Sequence, residues 1–340
     1  MRKQNGITLI ALIITIIIML ILVGVTVNVV INSDMIRTAD KAVKAWNEET
    51  QKENETINEL DQLIDDLVNN RMDPTPLYAA LYSDGALVFY ADSTHILETR
   101  NGASLVQKTV DISNTADLSF AEVVALLPWS DDNEFAKKVT SVIIADKVAP
   151  KSGKYLFRNL ININKIEGFR NLNTCNMTSM RGMFTLCNNL ATIPNVMNLK
   201  RIIGIENLDV SNVTTMERMF RNCKKLETLD LHKWDVSNVE NMLQLFNGCR
   251  SLKTLNIDGW NMKNVTNIKY MFNSCEVLEG TIALTFDSTK ITTYTGTFNG
   301  TAQNSNNPLI VNYTSSATGI IDNVIATQSG DKVQKGSQID

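Results

Sequence analysis

The side chains best suited to chemistry are few. Five cysteines stand at positions 175, 187, 223, 249 and 275, and two histidines at 95 and 232. No cysteine pair has C-x-x-C spacing, which removes zinc-ribbon and thioredoxin-type readings. The histidines lie far apart, and His232 has no Ser, Cys or Asp at a spacing that would assemble a nucleophilic triad. The acidic stretch WSDDNE, residues 129–134, lacks the ligand spacing of a calcium loop and reads as a solvated turn. Nothing in these residues points to a catalytic centre, a metal or a cofactor.

Composition narrows the classes further. Hydrophobic residues make up 44% of the 340 and charged residues 20%, both ordinary for a globular chain. The net charge is −4. Nucleic-acid binders concentrate positive charge, so that class of partner is not expected.

Spacing gives the cysteines a different meaning. Phe184, Phe220, Phe246, Phe272 and Phe298 recur at intervals of 36, 26, 26 and 26. Three residues after the first four stand Cys187, Cys223, Cys249 and Cys275, with Thr301 after the fifth. Three further on come Leu190, Leu226, Leu252 and Leu278. Seven before each phenylalanine are Met177, Val213, Val239, Val265 and Ile291. Twelve before are Leu172, Leu208, Trp234, Trp260 and Phe286. A worn earlier copy shows Phe157, Leu160, Ile163 and Ile166 in register, and a loop insertion near 194–203 explains the longer first interval. One 26-residue unit cannot bury its own apolar edge, but a stack of units can.

The cysteine column therefore reads as packing. Thiol is a small apolar filler, and buried free thiols are favoured over disulfides between coils or a metal. Cys175 falls off the column, beside Ser211 and Ser237, and reads as a surface or edge thiol. Trp234, Trp260 and Phe286 share their column with two leucines and read as core. Each unit ends in a run such as LETLDL (226–231) or LKTLNI (252–257), whose alternation predicts a short strand. Its outward positions are the candidate ligand-binding face: Glu227, Thr228, Asp230 and His232, then Lys253, Thr254, Asn256 and Asp258.

The stretch DVSNVTTMERMFRNCKKLETLDLHKWDVSNVENMLQLFNGC resembles the repeats of BspA-family leucine-rich-repeat surface proteins. The resemblance covers roughly residues 151–300. It implies a bacterial cell-surface protein without enzymatic activity that adheres to a protein or glycan outside the cell. The implied fold class is α/β: a leucine-rich-repeat solenoid of about five coils, residues 151–305. A β-rich cap over 73–150 precedes it, and a C-terminal cap and tail over 306–340 follows. Within the cap, ALVFYA (86–91) and KVTSVIIAD (138–146) predict strands. SFAEVVALL (119–127) predicts a short helix with Ser119 as N-cap and Glu122 completing a capping box. The polar residues 328–340 are expected to fray.

The N-terminal portion has a separate logic. Residues 7–31 carry no charge, and at about 1.5 Å per residue their length crosses a bilayer core of about 30 Å. Arg2 and Lys3 precede the run, which predicts a single pass with the N-terminus cytoplasmic and the globular part outside. KQNGITLIALIITIIIMLIL also resembles the leader of type IV pilin-like proteins. That resemblance implies a leader over 1–6, cleavage after Gly6 and methylation of Ile7. The family's glutamate five residues into the mature chain is Ala11 here, which departs from the fibre-forming pattern. From Ile36 to Leu67, apolar positions alternate at spacings of 3 and 4, interrupted by Thr50 and Glu53. A helical stalk over 32–72 follows, its seam either pairing with a second copy or packing on the globular part.

Overall fold

The computed structural model describes residues 73–131, 134–163, 165–187, 204–326 and 332–339. The leader with Gly6 and Ile7, the span 7–31, the stalk 32–72 and the insertion near 194–203 lie outside these residues. Among the described residues no helix is long and apolar enough to cross a membrane.

The repeats stack into a solenoid of about six turns, one more than the five clear copies. The worn copy around Phe157 is a full coil. We number the coils I to VI by their phenylalanines, Phe157, Phe184, Phe220, Phe246, Phe272 and Phe298. Successive rings lie 5.3, 5.5, 5.8, 5.6 and 5.3 Å apart, centre to centre, with planes within 24° of parallel. All six are buried to within 1%. The other columns follow. Met219, Cys223, Leu226 and Leu231 of coil III and their equivalents in coil IV belong to one apolar cluster that runs from Leu77 to Val333.

The class is β-solenoid, not α/β. In the M-x-x-M-F-x-x-C stretch the apolar spacing is that of a helical face, yet no helix forms there. Backbone φ turns positive two residues before and two after every phenylalanine. Eight of these twelve positions are not glycine: Tyr155, Asn159, Leu186, Arg218, Asn222, Gln244, Tyr270 and Ser274. Each such left-handed residue costs on the order of 1–2 kcal/mol, so something must offset it. The hydrogen bonds show what. Met216, Arg218, Phe220 and Asn222 donate their amides to Asn241, Leu243, Leu245 and Asn247 of the next coil, at 2.7–2.9 Å. The intervening Met219, Arg221 and Cys223 close local turns onto Met216, Arg218 and Phe220. An α-helix would spend all these amides inside one coil. The left-handed residues turn every second amide toward the neighbouring coil.

Two further ladders hold the coils in register. Asn212, Asn238 and Asn264 each donate their side-chain amide at 2.7 Å to a carbonyl of the preceding coil, those of Cys175, Ser211 and Ser237. Asp209, Asp235 and Asp287 each accept the amide two residues on, a turn in which the side chain replaces a backbone acceptor.

The N-terminal cap is a six-stranded sheet that runs into coil I. Strands β1 (Tyr78–Tyr82), β2 (Ala86–Tyr90), β3 (Thr99–Arg100), β4 (Ala103–Lys108), β5 (Ser141–Ile144) and β6 (Lys165–Glu167) are ordered β3-β4-β1-β2-β5-β6. The strands expected within 86–91 and 138–146 are β2 and β5. Strand β2 pairs antiparallel with β1 but parallel with β5, and β5 parallel with β6 of coil I. The sheet thus changes from hairpin to solenoid pairing at β2. Helix α1 (Phe120–Leu126) starts with the expected capping box of Ser119 and Glu122. Helix α2 (Glu134–Lys138) follows. The WSDDNE stretch is not simply a solvated turn. Trp129 is wholly buried, sits edge-on to Phe89 at 5.8 Å and donates Nε1 to the Leu156 carbonyl at 2.8 Å. Trp129 and Phe89 close the apolar end of the stack against Phe157.

Coils III and IV pair through strands β7 (Thr228–Asp230) and β8 (Thr254–Asn256). The C-terminal end is a three-stranded parallel sheet, order β11-β10-β9, of β9 (Gly280–Leu284), β10 (Leu309–Tyr313) and β11 (Val333–Gln338). Helix α3 (Ile321–Ile325) buries Ile321, Val324 and Ile325. Strand β11 corrects the expectation of a frayed tail. Its side chains are mostly exposed and polar, which hid it, but its backbone pairs with β10, and Val333 anchors it in the core at 2% exposure.

The left-handed positions give a test. A Cβ on Gly296 would lie 2.3 Å from Cε1 of Tyr270, at φ +67°. Gly296→Ala should lower unfolding free energy by about 2 kcal/mol or more. Adding Tyr270→Ala, which removes the clashing ring, should make the glycine substitution less costly than in the wild-type background. Denaturant unfolding of the four chains in that cycle measures both effects.

Candidate functional site

Strands β7 and β8 build the candidate face. Leu229 and Leu255 are paired in register and point into the core, at 3% and 5% exposure. Their neighbours must therefore point out. All eight predicted residues, Glu227, Thr228, Asp230, His232, Lys253, Thr254, Asn256 and Asp258, are at least partly exposed.

They divide into two groups. Glu227, Thr228, Lys253 and Thr254 line one cleft of about 390 Å³. Arg250, Ser251, Val277, Glu279, Asn304, Ser305 and Asn306 complete it. Asp230 and Asn256 end the same two strands outside the cleft, and His232 and Asp258 follow them in the turns. They bond among themselves. His232 Nδ1 lies 2.7 Å from Asp230 Oδ1, and the Asp258 amide donates to Asn256 Oδ1 at 3.1 Å. Burial pushes the Asp230 carboxyl up, but the hydrogen bonds from His232 outweigh it, and the net shift is downward.

The cleft is a row of alternating charge. Glu227, Lys253 and Glu279 occupy the same position in coils III, IV and V. Lys253 Nζ meets Glu279 Oε1 at 3.3 Å, and Arg250 Nε meets Glu276 Oε1 at 3.3 Å. Asn304 and Asn307 donate their side-chain amides to Glu276 and Glu279, at 3.1 and 3.3 Å. The cations are more than half exposed, so each pair is worth at most about 1 kcal/mol and is readily exchanged for a ligand's polar groups. The strand pattern did not point to Arg250 or the asparagines. Arg250 was legible in the column four residues after the phenylalanine, which holds Lys224, Arg250 and Glu276.

The cysteines are core residues. Cys187, Cys223, Cys249 and Cys275 are free and at most 1% exposed. Each Sγ donates to a phenylalanine carbonyl of the preceding coil, at 2.8, 3.1, 3.0 and 3.2 Å respectively. In coil VI the Thr301 hydroxyl makes the same bond at 2.7 Å. Burial pushes the Cys187 and Cys249 thiols up to about 12, far from the thiolate needed for metal binding or attack. Cys175 is also buried, at 8%, which corrects its reading as a surface thiol. Its amide closes the turn on Asn173 and its carbonyl accepts from Asn212, so the serine-like position faces the structure. Among the described residues no group of three potential ligands could hold a metal ion. The indoles of Trp234 and Trp260 stack 6.4 Å apart, are buried, and donate to the Ile205 and Leu231 carbonyls.

Residues 192–311 are similar to a family described as "Mycoplasma protein of unknown function, DUF285". That range takes in coils III to VI, including the whole candidate face. No curated protein matches the chain, and no solved structure does.

The second histidine lies in the cap. His95 Nδ1 sits 2.7 Å from Asp146 Oδ2, and that same oxygen accepts the Ala91 amide. The hydrogen bond and charge of Asp146 raise the His95 pKa. A raised folded-state pKa means that the contact's contribution is fully present below about pH 6.5 and lost as pH rises through the folded value. A pH titration of the His95 ring by NMR should give a midpoint above that of an exposed histidine, and Asp146→Asn should return it to the ordinary range.

Proposed function

We propose that this chain is a membrane-anchored bacterial cell-surface protein that binds a protein or glycan ligand and catalyses no reaction. The cleft between Glu227 and Asn306 receives the ligand. The observation that carries this reading is that cleft. Repetition places short polar side chains and exchangeable ion pairs side by side on rigid strands, and no activated nucleophile stands among them. Solenoids use such continuous faces for recognition. The resemblance of the repeats to BspA-family leucine-rich-repeat proteins supports a role in adhesion. Residues 7–31 serve as the anchor, with the N-terminus in the cytoplasm, and the stalk carries the solenoid away from the bilayer, alone or as a homo-oligomer.

The leader favours a second reading, that of a pilin-like subunit decorated by the repeats. KQNGITLI matches the processing pattern, whereas Ala11 lacks the acidic group that the fibre-forming pattern carries. Mass spectrometry of the N-terminus decides between them. An intact leader sinks the pilin reading, and an N-methylated Ile7 in polymer-sized complexes supports it.

For adhesion, the full chain on cells or in vesicles should bind at least one member of a panel of matrix proteins and glycans. Lys253→Glu reverses the central charge of the row and should weaken that binding roughly tenfold or more. Asp258→Asn, outside the cleft, should leave it nearly unchanged. Binding to no panel member, or equal loss in both variants, would overturn the assignment of the cleft.

A further inference from the structure

A second group of residues carries an unexplained concentration of positive charge. It lies on the turn stretches of coils I to III and shares no residue with the cleft. Lys154 and Arg158 come from coil I, Arg181 from coil II, and Arg218 and Arg221 from coil III. The chain as a whole is net negative, so this grouping runs against its composition.

Part of the charge is internally matched. Glu217, 7% exposed, meets Arg181 Nη2 at 3.0 Å and Arg218 Nη1 at 3.2 Å, and Arg218 Nε donates to Gln244. At the cap margin Asp131 acts on Arg158, and Asp117 and Glu122 act on Lys154. What remains is unusual. Arg158 Nη1, Arg181 Nε and Arg221 Nε are each buried with no hydrogen-bond partner. So is Nδ2 of Asn159, a residue only 4% exposed that directly follows Arg158. Buried donors of this kind are ordinarily satisfied, and each unmet one costs about 1–3 kcal/mol. Four in adjoining coils point to an acceptor that the protein itself does not supply.

Register puts Arg158 and Arg221 in one column. Arg158, Thr185 and Arg221 share one position, the residue after the phenylalanine, in coils I, II and III. Coil spacings there are 5.3 and 5.5 Å. Thr185 is short, and its hydroxyl is turned away to the Arg218 carbonyl. Two long guanidinium side chains therefore flank one small residue. Arg158 is further held by the Phe120 ring, with Cζ 4.8 Å from its centre. Burial lowers the pKa of Arg158, with Tyr155 and Asp131 opposing that and the like charge of Arg221 adding a smaller push downward.

We propose that the turn face of coils I to III is an oxyanion site, in which Arg158 and Arg221 hold a sulfate or phosphate ester of an acidic glycan. Guanidinium forks suit tetrahedral oxyanions because they offer paired, fixed donors. The site is separate from the strand-face cleft and does not rest on the function proposed for it.

The test uses the full chain and three immobilised polymers: heparin as the sulfated glycan, a phosphomannan as the phosphorylated one, and uncharged dextran. One of the two anionic polymers should retain the chain, and added salt should release it. Retention by heparin assigns a sulfate ester, and retention by the phosphomannan a phosphate ester. Arg158→Gln with Arg221→Gln should weaken retention roughly tenfold or more, and Lys263→Gln, an exposed cation outside both sites, should not. If the double glutamine variant fails to fold, Arg158→Lys with Arg221→Lys keeps the charge and loses the fork, and retention should still fall severalfold. Retention by dextran, retention by neither anionic polymer, or undiminished retention by the folded double variants would overturn the proposal.

Discussion

The fold depends on the direction of alternate amides in one short stretch of each coil. Around the phenylalanines of coils I to V, the amides at even offsets leave for the next coil and those at odd offsets turn back. A coil by itself would leave half of these donors unmet and its left-handed residues uncompensated. Stacked, the donors find carbonyls at 2.7–2.9 Å and the phenylalanine rings meet face to face. Local strain and long-range pairing are thus two sides of the same geometry. The ladder also has a sense: donors point toward the C-terminal coil and acceptors toward the N-terminal one. The two ends of the stack are chemically different and are closed differently, by the Trp129–Phe89 wedge at one end and the β9–β11 sheet at the other.

Columns were legible in the sequence because stacking demands the same side chain at the same place. Phe220, Cys223 and Trp234 could be assigned to the core from their recurrence alone. Backbone direction was not legible. Arg218, Gln244 and Tyr270 are ordinary residues that announce no positive φ, and the spacing of Met216, Met219, Phe220 and Cys223 is equally that of a helical face. Only the carbonyls of a neighbouring coil decide between the two, and those lie 26 residues away. The tail was missed for a related reason. Strand β11 is held by its backbone, which leaves little trace in side-chain patterning beyond Val333.

The candidate site was half legible. Alternation identified the outward residues of β7 and β8, but it could not say which of them converge. The cleft draws Glu227, Thr228, Lys253 and Thr254 together because the following coils raise a wall from Glu279 and Asn304. Asp230 and His232 have no such wall and bond to each other. The cysteines show the opposite case, in which reactive side chains serve as hydrogen-bond donors inside the core. Thr301 makes the point: a hydroxyl fills the role as well as a thiol.

Because successive coils present the same donors to the same acceptors, the interior of the stack has no preferred length. A 26-residue unit could be added or removed with each new neighbour finding the partners the old one had. What such a change would alter is reach. Each coil lengthens the phenylalanine stack by about 5.5 Å, and the cleft needs the coils that follow β8 for its far wall. The number of coils therefore acts as a ruler, setting how much of an extended ligand can be touched at once while the energetics of each rung stay constant.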